Sequence, residues 1–238
     1  MEETMKISRL LIIITLLAAG SMLPSYAFAL AVGQIDTFED GTTQNWVVGL
    51  LGATHPAPPV NVSSGGPAGV DDNYMLLTAV GGSGPGNRLT VINLSQWAGD
   101  YTAAGITAIA MDLRNLGLTD LSIRLYLENP MGAPPTDEAL TSPVLLPTGG
   151  VWTHAEFAID PLSLTELTGD VNTLLTNVTA LRIFHSPTAT FPGPAVSAVL
   201  GVDNIEAVSV APIPEPTTML LLGFGLLGLF GLRKKCKK

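Results

Sequence analysis

The chain has 238 residues, a formal net charge of −9 and a single cysteine, Cys236, close to its C-terminus. Residues 30–213 hold four arginines, no lysine and 17 acids, a net charge of −13, which repels a phosphate backbone and excludes nucleic acid as a partner. The absence of cysteine from that stretch excludes a disulfide framework, a Cys-based zinc site and a cysteine nucleophile there.

The N-terminus reads as an export signal. Lys6 and Arg9 form a basic region, Leu10–Ala19 is an apolar run, and Ala27-Phe28-Ala29 fits the small-x-small rule for signal peptidase. The pattern predicts a signal peptide over 1–29, cut after Ala29, with Ala31 as the second choice.

The next domain, 30–211, is rich in Gly, Pro, Thr and Val, and short runs of period-two alternation dominate it. Strands are expected near Gln34–Phe38, Trp46–Leu51, Tyr74–Val80, Arg88–Asn93, Ile106–Asn115, Asp120–Glu128, Val144–Leu146, Val151–Ile159, Ala180–His185 and Val199–Val210. The clearest is Asp120–Glu128: Leu121, Ile123, Leu125 and Leu127 point one way, and Ser122, Arg124, Tyr126 and Glu128 the other. Helices are expected at Leu162–Leu167 and Asp170–Thr176, and loops at 52–69, 81–86, 129–143 and 186–197. About ten strands at this spacing, with no tandem repeat, argue for an all-β sandwich.

Residues 212–238 are different in kind. Pro214, Glu215 and Pro216 hold the chain extended, and Met219–Leu232 follow, 14 residues without a charge. As a helix this run spans ~21 Å, short of a ~30 Å hydrocarbon core, but flanking threonines and the stems of Arg233 and Lys234 extend it. A transmembrane helix is predicted over about 218–232, closed by Arg233, Lys234 and Lys235. Basic residues lie outside both apolar segments, so the positive-inside tendency places the domain between them across the membrane.

The Pro-Glu-Pro triplet, apolar helix and basic tail together resemble the PEP-CTERM sorting signal of Gram-negative bacteria. The resemblance implies removal of the tail by an exosortase, a membrane transpeptidase. It further implies a transient inner-membrane anchor, a destination at the cell surface or in the extracellular matrix, and association with exopolysaccharide and biofilm.

A second resemblance concerns the domain. Phe38-Glu39-Asp40-Gly41 with Trp46, and Gly201-Val202-Asp203-Asn204-Ile205, are similar to the opening and closing segments of carbohydrate-binding-module jelly rolls. This implies a jelly-roll-like antiparallel β-sandwich whose first and last strands are neighbours. It also implies a structural calcium ion between Glu39 and Asp203, with Asp36 or Asp40 as further ligands; no other cofactor is required. The competing reading makes Asp40-Gly41 a turn and Asp203 part of a bulge. Asp71-Asp72-Asn73 reads as a solvated turn.

If the strands keep register, Arg124, Tyr126, Trp152, His154, Glu156, Arg182 and Phe184 share a polar side. Aromatic rings for stacking, together with Arg, His and Glu for hydroxyls, make a glycan platform. The alternatives are that Trp152 packs under a loop at a strand start and that segment 186–197 covers Phe184. Enzyme readings are weaker. His55, His154 and His185 lack metal-ligand spacing, Ser63-Ser64-Gly65-Gly66 lacks a nucleophile-elbow pattern, and no Lys follows the Gly-rich 81–87 stretch. A carboxylate pair for glycoside cleavage would have to come from Glu128, Glu156 or Asp112. The expected function is therefore that of a non-enzymatic, exported surface or matrix protein whose partners are polysaccharide or matrix proteins, after signal peptidase and exosortase have acted. The alternatives are a lectin-like module with a defined sugar and, third, a glycan-active hydrolase.

Overall fold

The computed structural model describes residues 30–49, 55–132 and 134–209. The expected signal peptide, sorting motif and transmembrane helix lie outside these residues. No helix among the described residues is long and apolar enough to cross a membrane.

Twelve strands are formed among the described residues: β1 (Ile35–Asp36), β2 (Val60–Val62), β3 (Tyr74–Val80), β4 (Thr90–Asn93), β5 (Ala108–Asn115), β6 (Leu121–Asn129), β7 (Asp137–Leu140), β8 (Val144–Leu146), β9 (Thr153–Ala158), β10 (Thr165–Thr168), β11 (Ala180–His185) and β12 (Ser197–Val208). They make two antiparallel sheets. The first runs β2-β3-β12-β5-β9, with β1 also paired to β12; the second runs β10-β7-β6-β11-β4, with β8 also paired to β6. The first and last strands are neighbours, with Ile35 opposite Glu206 and Asp36 opposite Ile205.

Alternation builds the core. Leu121, Ile123, Leu125 and Leu127 of β6 are buried in one cluster with Ile109, Met111 and Leu113 of β5, Leu200 and Val202 of β12, and Leu181 and Ile183 of β11. At such sites Leu→Ala typically costs ~2–5 kcal/mol, because a close-packed interior leaves the cavity unfilled. One buried charge organises the end of the sandwich. Asp36 Oδ2 accepts the indole N–H groups of Trp46 at 2.8 Å and Trp97 at 2.7 Å, and both rings are fully buried. Burial raises the Asp36 carboxyl above its usual range, the indole and Gln96 donors pull it back, and the charge of Asp40 adds to the rise.

Several expectations are corrected. Leu162–Leu167 is not a helix. Thr165–Thr168 forms β10 against β7, and Leu167 packs against the cluster of Tyr126, Leu140 and Phe184. Of the strand expected over Trp46–Leu51, residues 50 and 51 lie outside the described residues, and the rest gives only the bridge of Val47 to Ile92, between the left-handed Gln44 and Asn45 (φ 45° and 64°) and the left-handed Gly49. β2 and β7 form inside segments read as loops. A short helix, α1 (Tyr101–Ala104), was also not anticipated; Asp100 caps it and Gly105, at φ 70°, ends it. The second helix, α2 (Val171–Thr176), stands where expected, with Asp170 Oδ1 accepting the Thr173 N–H.

Candidate functional site

The outward side of β6 carries Arg124, Tyr126 and Glu128, and that of β11 carries Arg182 and Phe184. Register sets Arg182 beside Tyr126 and Phe184 beside Arg124. This half of the expected platform is assembled but closed. Tyr126 and Phe184 are each 1% exposed, because the chain after β11 brings Phe191 over them. The Phe191 ring lies on Tyr126 with centroids 4.0 Å apart and planes 11° from parallel. Phe184 meets both rings edge-on, at 6.3 Å and 5.4 Å.

Ion pairs and hydrogen bonds lock the cluster. Arg182 donates Nε and Nη2 to Glu128 Oε1 at 2.8 and 2.5 Å, and its guanidinium lies 5.3 Å from the Phe191 centroid. The Tyr126 hydroxyl donates to Glu138 Oε2, on the neighbouring strand β7. Burial, followed by the Glu138 acceptor, pushes the Tyr126 phenol well above its usual range. Burial raises the Glu128 carboxyl despite its pairing with Arg182. Arg124 is buried and spends its donors on backbone, Nε on Ser186 O at 3.0 Å and Nη1 on Thr141 O at 2.6 Å. It holds loops together and presents nothing outward.

Trp152, His154 and Glu156 are elsewhere. β9 pairs with β5, so they sit on the outer face of the first sheet, on the far side of the sandwich from Arg124, Tyr126 and Arg182. The expected single platform is therefore two separate faces, since alternation within a strand cannot reveal which sheet the strand joins. The same division separates Glu128 from Glu156 and Asp112. Trp152 lies just before β9, donates Nε1 to Gly65 O at 2.9 Å and meets Tyr74 edge-on at 5.2 Å. Gly201 makes room for it: a Cβ there would stand 2.8 Å from the indole. His154 Nδ1 lies 3.0 Å from Asp112 Oδ1, and the His154 and Glu156 side chains are exposed.

Glu39 and Asp203 come into the same neighbourhood. Asp203 is 1% exposed; its Oδ1 accepts the Asn204 N–H at 2.7 Å and its Oδ2 is buried with no partner. Burial pushes this carboxyl up to about 7 against the pull of the Asn204 N–H, and the charges of Asp72, Asp112 and Glu39 add to the rise. The backbone turns out of register here, with Asn204 at φ 50° and a bulge before Glu206. Glu39 Oε1 accepts the Asn73 N–H, and Asp72 Oδ2 accepts the Ala68 N–H. No three His, Cys, Asp or Glu side chains among the described residues converge as a metal cage; an ion at Asp203 would draw its remaining oxygens from backbone and water.

Phe191, Glu138 and Tyr74 complete these faces and were not singled out in the sequence. Phe191 sits in an aperiodic Pro-containing loop, where alternation carries no signal. Glu138 lies in a strand hidden by the surrounding Pro and Gly.

Comparison with known proteins bears on both parts of the chain. Residues 212–235 match the PEP-CTERM protein-sorting motif. No curated protein matches the chain. Among solved structures, a family 11 carbohydrate-binding module from Clostridium thermocellum, in complex with a β-1,3-1,4-mixed-linked tetrasaccharide, is 16% identical with a TM-score of 0.50, covering 77% of this chain and 99% of that one. The family 11 module of the cellulosomal cellulase Lic26A-Cel5E of the same organism is 14% identical at TM-score 0.50, over 77% and 98%. An exo-β-agarase is 12% identical at TM-score 0.53, over 78% of this chain but 26% of the agarase. The domain therefore has the fold of carbohydrate-binding modules, and the chain carries a PEP-CTERM sorting motif.

Proposed function

We propose that this is an exported protein, processed by an exosortase at its sorting motif, which then works outside the cell as a non-catalytic, polysaccharide-associated component of the surface or matrix. The observation that carries this reading is the joining, in one chain, of a sorting motif at 212–235 to a domain with the fold of carbohydrate-binding modules. The geometry supports contact through the open face of the first sheet. There Tyr74 and Trp152 offer partly exposed rings and His154 and Glu156 offer exposed hydrogen-bonding groups, the combination that meets the apolar faces and the hydroxyls of sugar rings.

A structural calcium ion at Asp203 and Glu39 belongs to the same proposal. The partnerless buried oxygen of Asp203, surrounded by further acids, supports it, because a buried carboxylate calls for a compensating charge. The ion would neutralise these acids and close the domain.

Retention of the exported protein on the producing organism's own polysaccharide, in affinity electrophoresis, tests the reading. Retardation that weakens in His154→Ala/Glu156→Ala is expected, without release of reducing ends. Unretarded migration overturns it, and release of reducing ends overturns its non-catalytic part.

A further inference from the structure

A cleft of about 1170 Å³ opens beside β1. Its walls are the first residues of the described domain, the 40–47 loop, and Ser95 with Gln96. The polar lining includes Gln34, Asp36, Asp40, Gln44, Asn45 and Gln96.

The lining is braced. Gln96 donates Nε2 to Asp36 at 3.1 and 3.3 Å and to Gln44 O at 2.6 Å. In turn Gln34 donates to Gln96 O at 2.8 Å and Asn45 to Gln96 Oε1 at 3.1 Å. Beneath them, Asp36 is fixed by the two buried indoles. Gln44 and Asn45 hold left-handed backbone at consecutive positions, a conformation that surrounding structure must enforce for non-glycine residues. The walls are thus set before any ligand arrives, which reduces the ordering cost of binding.

The chemistry of the walls selects a ligand class. The amides of Gln34, Gln44 and Asn45, the Ser95 hydroxyl and the exposed Asp40 carboxylate keep donor or acceptor capacity beyond the bonds that brace the wall, and no Lys, Arg or His is among the lining residues. A uronate, sulfate or phosphate would meet the exposed carboxylate of Asp40 with no cation in the lining to offset it. Trp46 and Trp97 are fully buried behind the wall, so recognition rests on hydrogen bonds rather than stacking. The exposed Val32 and Ile35 offer an apolar wall to ring C–H groups. The volume exceeds the ~300–1,000 Å³ typical of small-molecule pockets, leaving room for several sugar rings.

We infer that this cleft is a second saccharide site, which takes a short stretch of neutral, hydroxyl-rich glycan. It shares with the proposed function only the ligand class, and uses none of the same side chains.

The test is a two-dimensional amide NMR titration of the exported protein with tetrasaccharides of glucose, xylose, mannose and galactose, and with tetragalacturonate as the anionic counterpart. At least one neutral sugar is expected to shift the signals of residues 31–36, 42–47 and 95–96. Gln34→Ala/Asn45→Ala is expected to weaken binding at least tenfold. Ser95→Trp, which puts a bulky ring at an exposed lining residue, is expected to do the same. The inference is overturned if no neutral sugar moves these signals, if tetragalacturonate binds as well, or if both cleft variants bind undiminished. Loss of cleft binding with polysaccharide retention intact removes this site alone. Intact cleft binding with retention lost removes the surface reading alone.

Discussion

The ring of Phe191 lies flat on that of Tyr126, with centroids 4.0 Å apart. A loop residue thereby occupies the position over an outward-facing tyrosine where a flat ligand ring would stack. Phe191→Ala is expected to destabilise the domain by ~1–3 kcal/mol, less than a fully buried Phe→Ala because Phe191 is only partly buried. Its specific signature is in the phenol. Since burial is the leading cause of the raised Tyr126 pKa, ultraviolet titration should show one tyrosine ionising at lower pH in the variant. An unchanged titration curve would mean that Phe191 does not shield Tyr126.

Gly193 determines where that loop lies. A Cβ at this position would stand 1.8 Å from the His185 carbonyl oxygen, a backbone atom that cannot step aside. Gly193→Ala should therefore displace the loop and reproduce the phenol shift of Phe191→Ala with Phe191 still present. A variant that melts and titrates like the parent would show the approach to be looser than described.

Asp36 anchors two indoles with one oxygen. Asp36→Ala leaves two buried N–H donors without an acceptor, at ~1–3 kcal/mol each, and is expected to lower stability by several kcal/mol. Chemical denaturation followed by tryptophan fluorescence measures it. A loss below ~1 kcal/mol would mean that water replaces the carboxylate.

Asp203 predicts the pH dependence of stability. Its carboxyl holds a proton up to about 7 in the folded protein, against an ordinary value of 3.8. The folded state therefore binds the proton more tightly than the unfolded chain does. The resulting stability is fully present below pH ~4 and is lost as pH rises through about 7. In chelator, stability should fall across that interval by at most ~4–5 kcal/mol, at ~1.4 kcal/mol per unit, and the melting temperature with it. Asp203→Asn should flatten the profile. Millimolar calcium at pH 8 should restore the parent and leave the variant unmoved; equal responses of the two would remove the proposed ion from Asp203.

Export makes a prediction of its own. Replacing Pro214, Glu215 and Pro216 with alanine is expected to leave Met219–Lys238 attached and the protein in the membrane fraction, by intact mass and fractionation. Normal release of the altered protein would break the link between the motif and processing.

Much of the sandwich was readable because alternation is a local property. Leu121 to Leu127 declare an inward row without reference to any other strand, and Asp170 announces a helix cap two or three residues ahead. Partnership between strands is not local. Arg124 and His154 have equally good polar-side credentials, yet one belongs to a strand beside β11 and the other to a strand beside β5, so the expected platform came apart. Phe191 shows a second limit: a ring delivered by an aperiodic loop leaves no pattern to read. Asp36 shows a third, since its indole partners Trp46 and Trp97 are 10 and 61 residues away.

The pairing of β1 with β12 has a consequence for how the molecule presents itself. Gly33 N–H reaches Ala207 O at 2.8 Å, so the polypeptide enters and leaves the sandwich at one pole, beside the cleft. A tether attached beyond β12 would suspend the domain by that pole. Whatever the cleft grips would then be held close to the point of attachment, while the broad flanks of the sandwich are turned toward the surroundings.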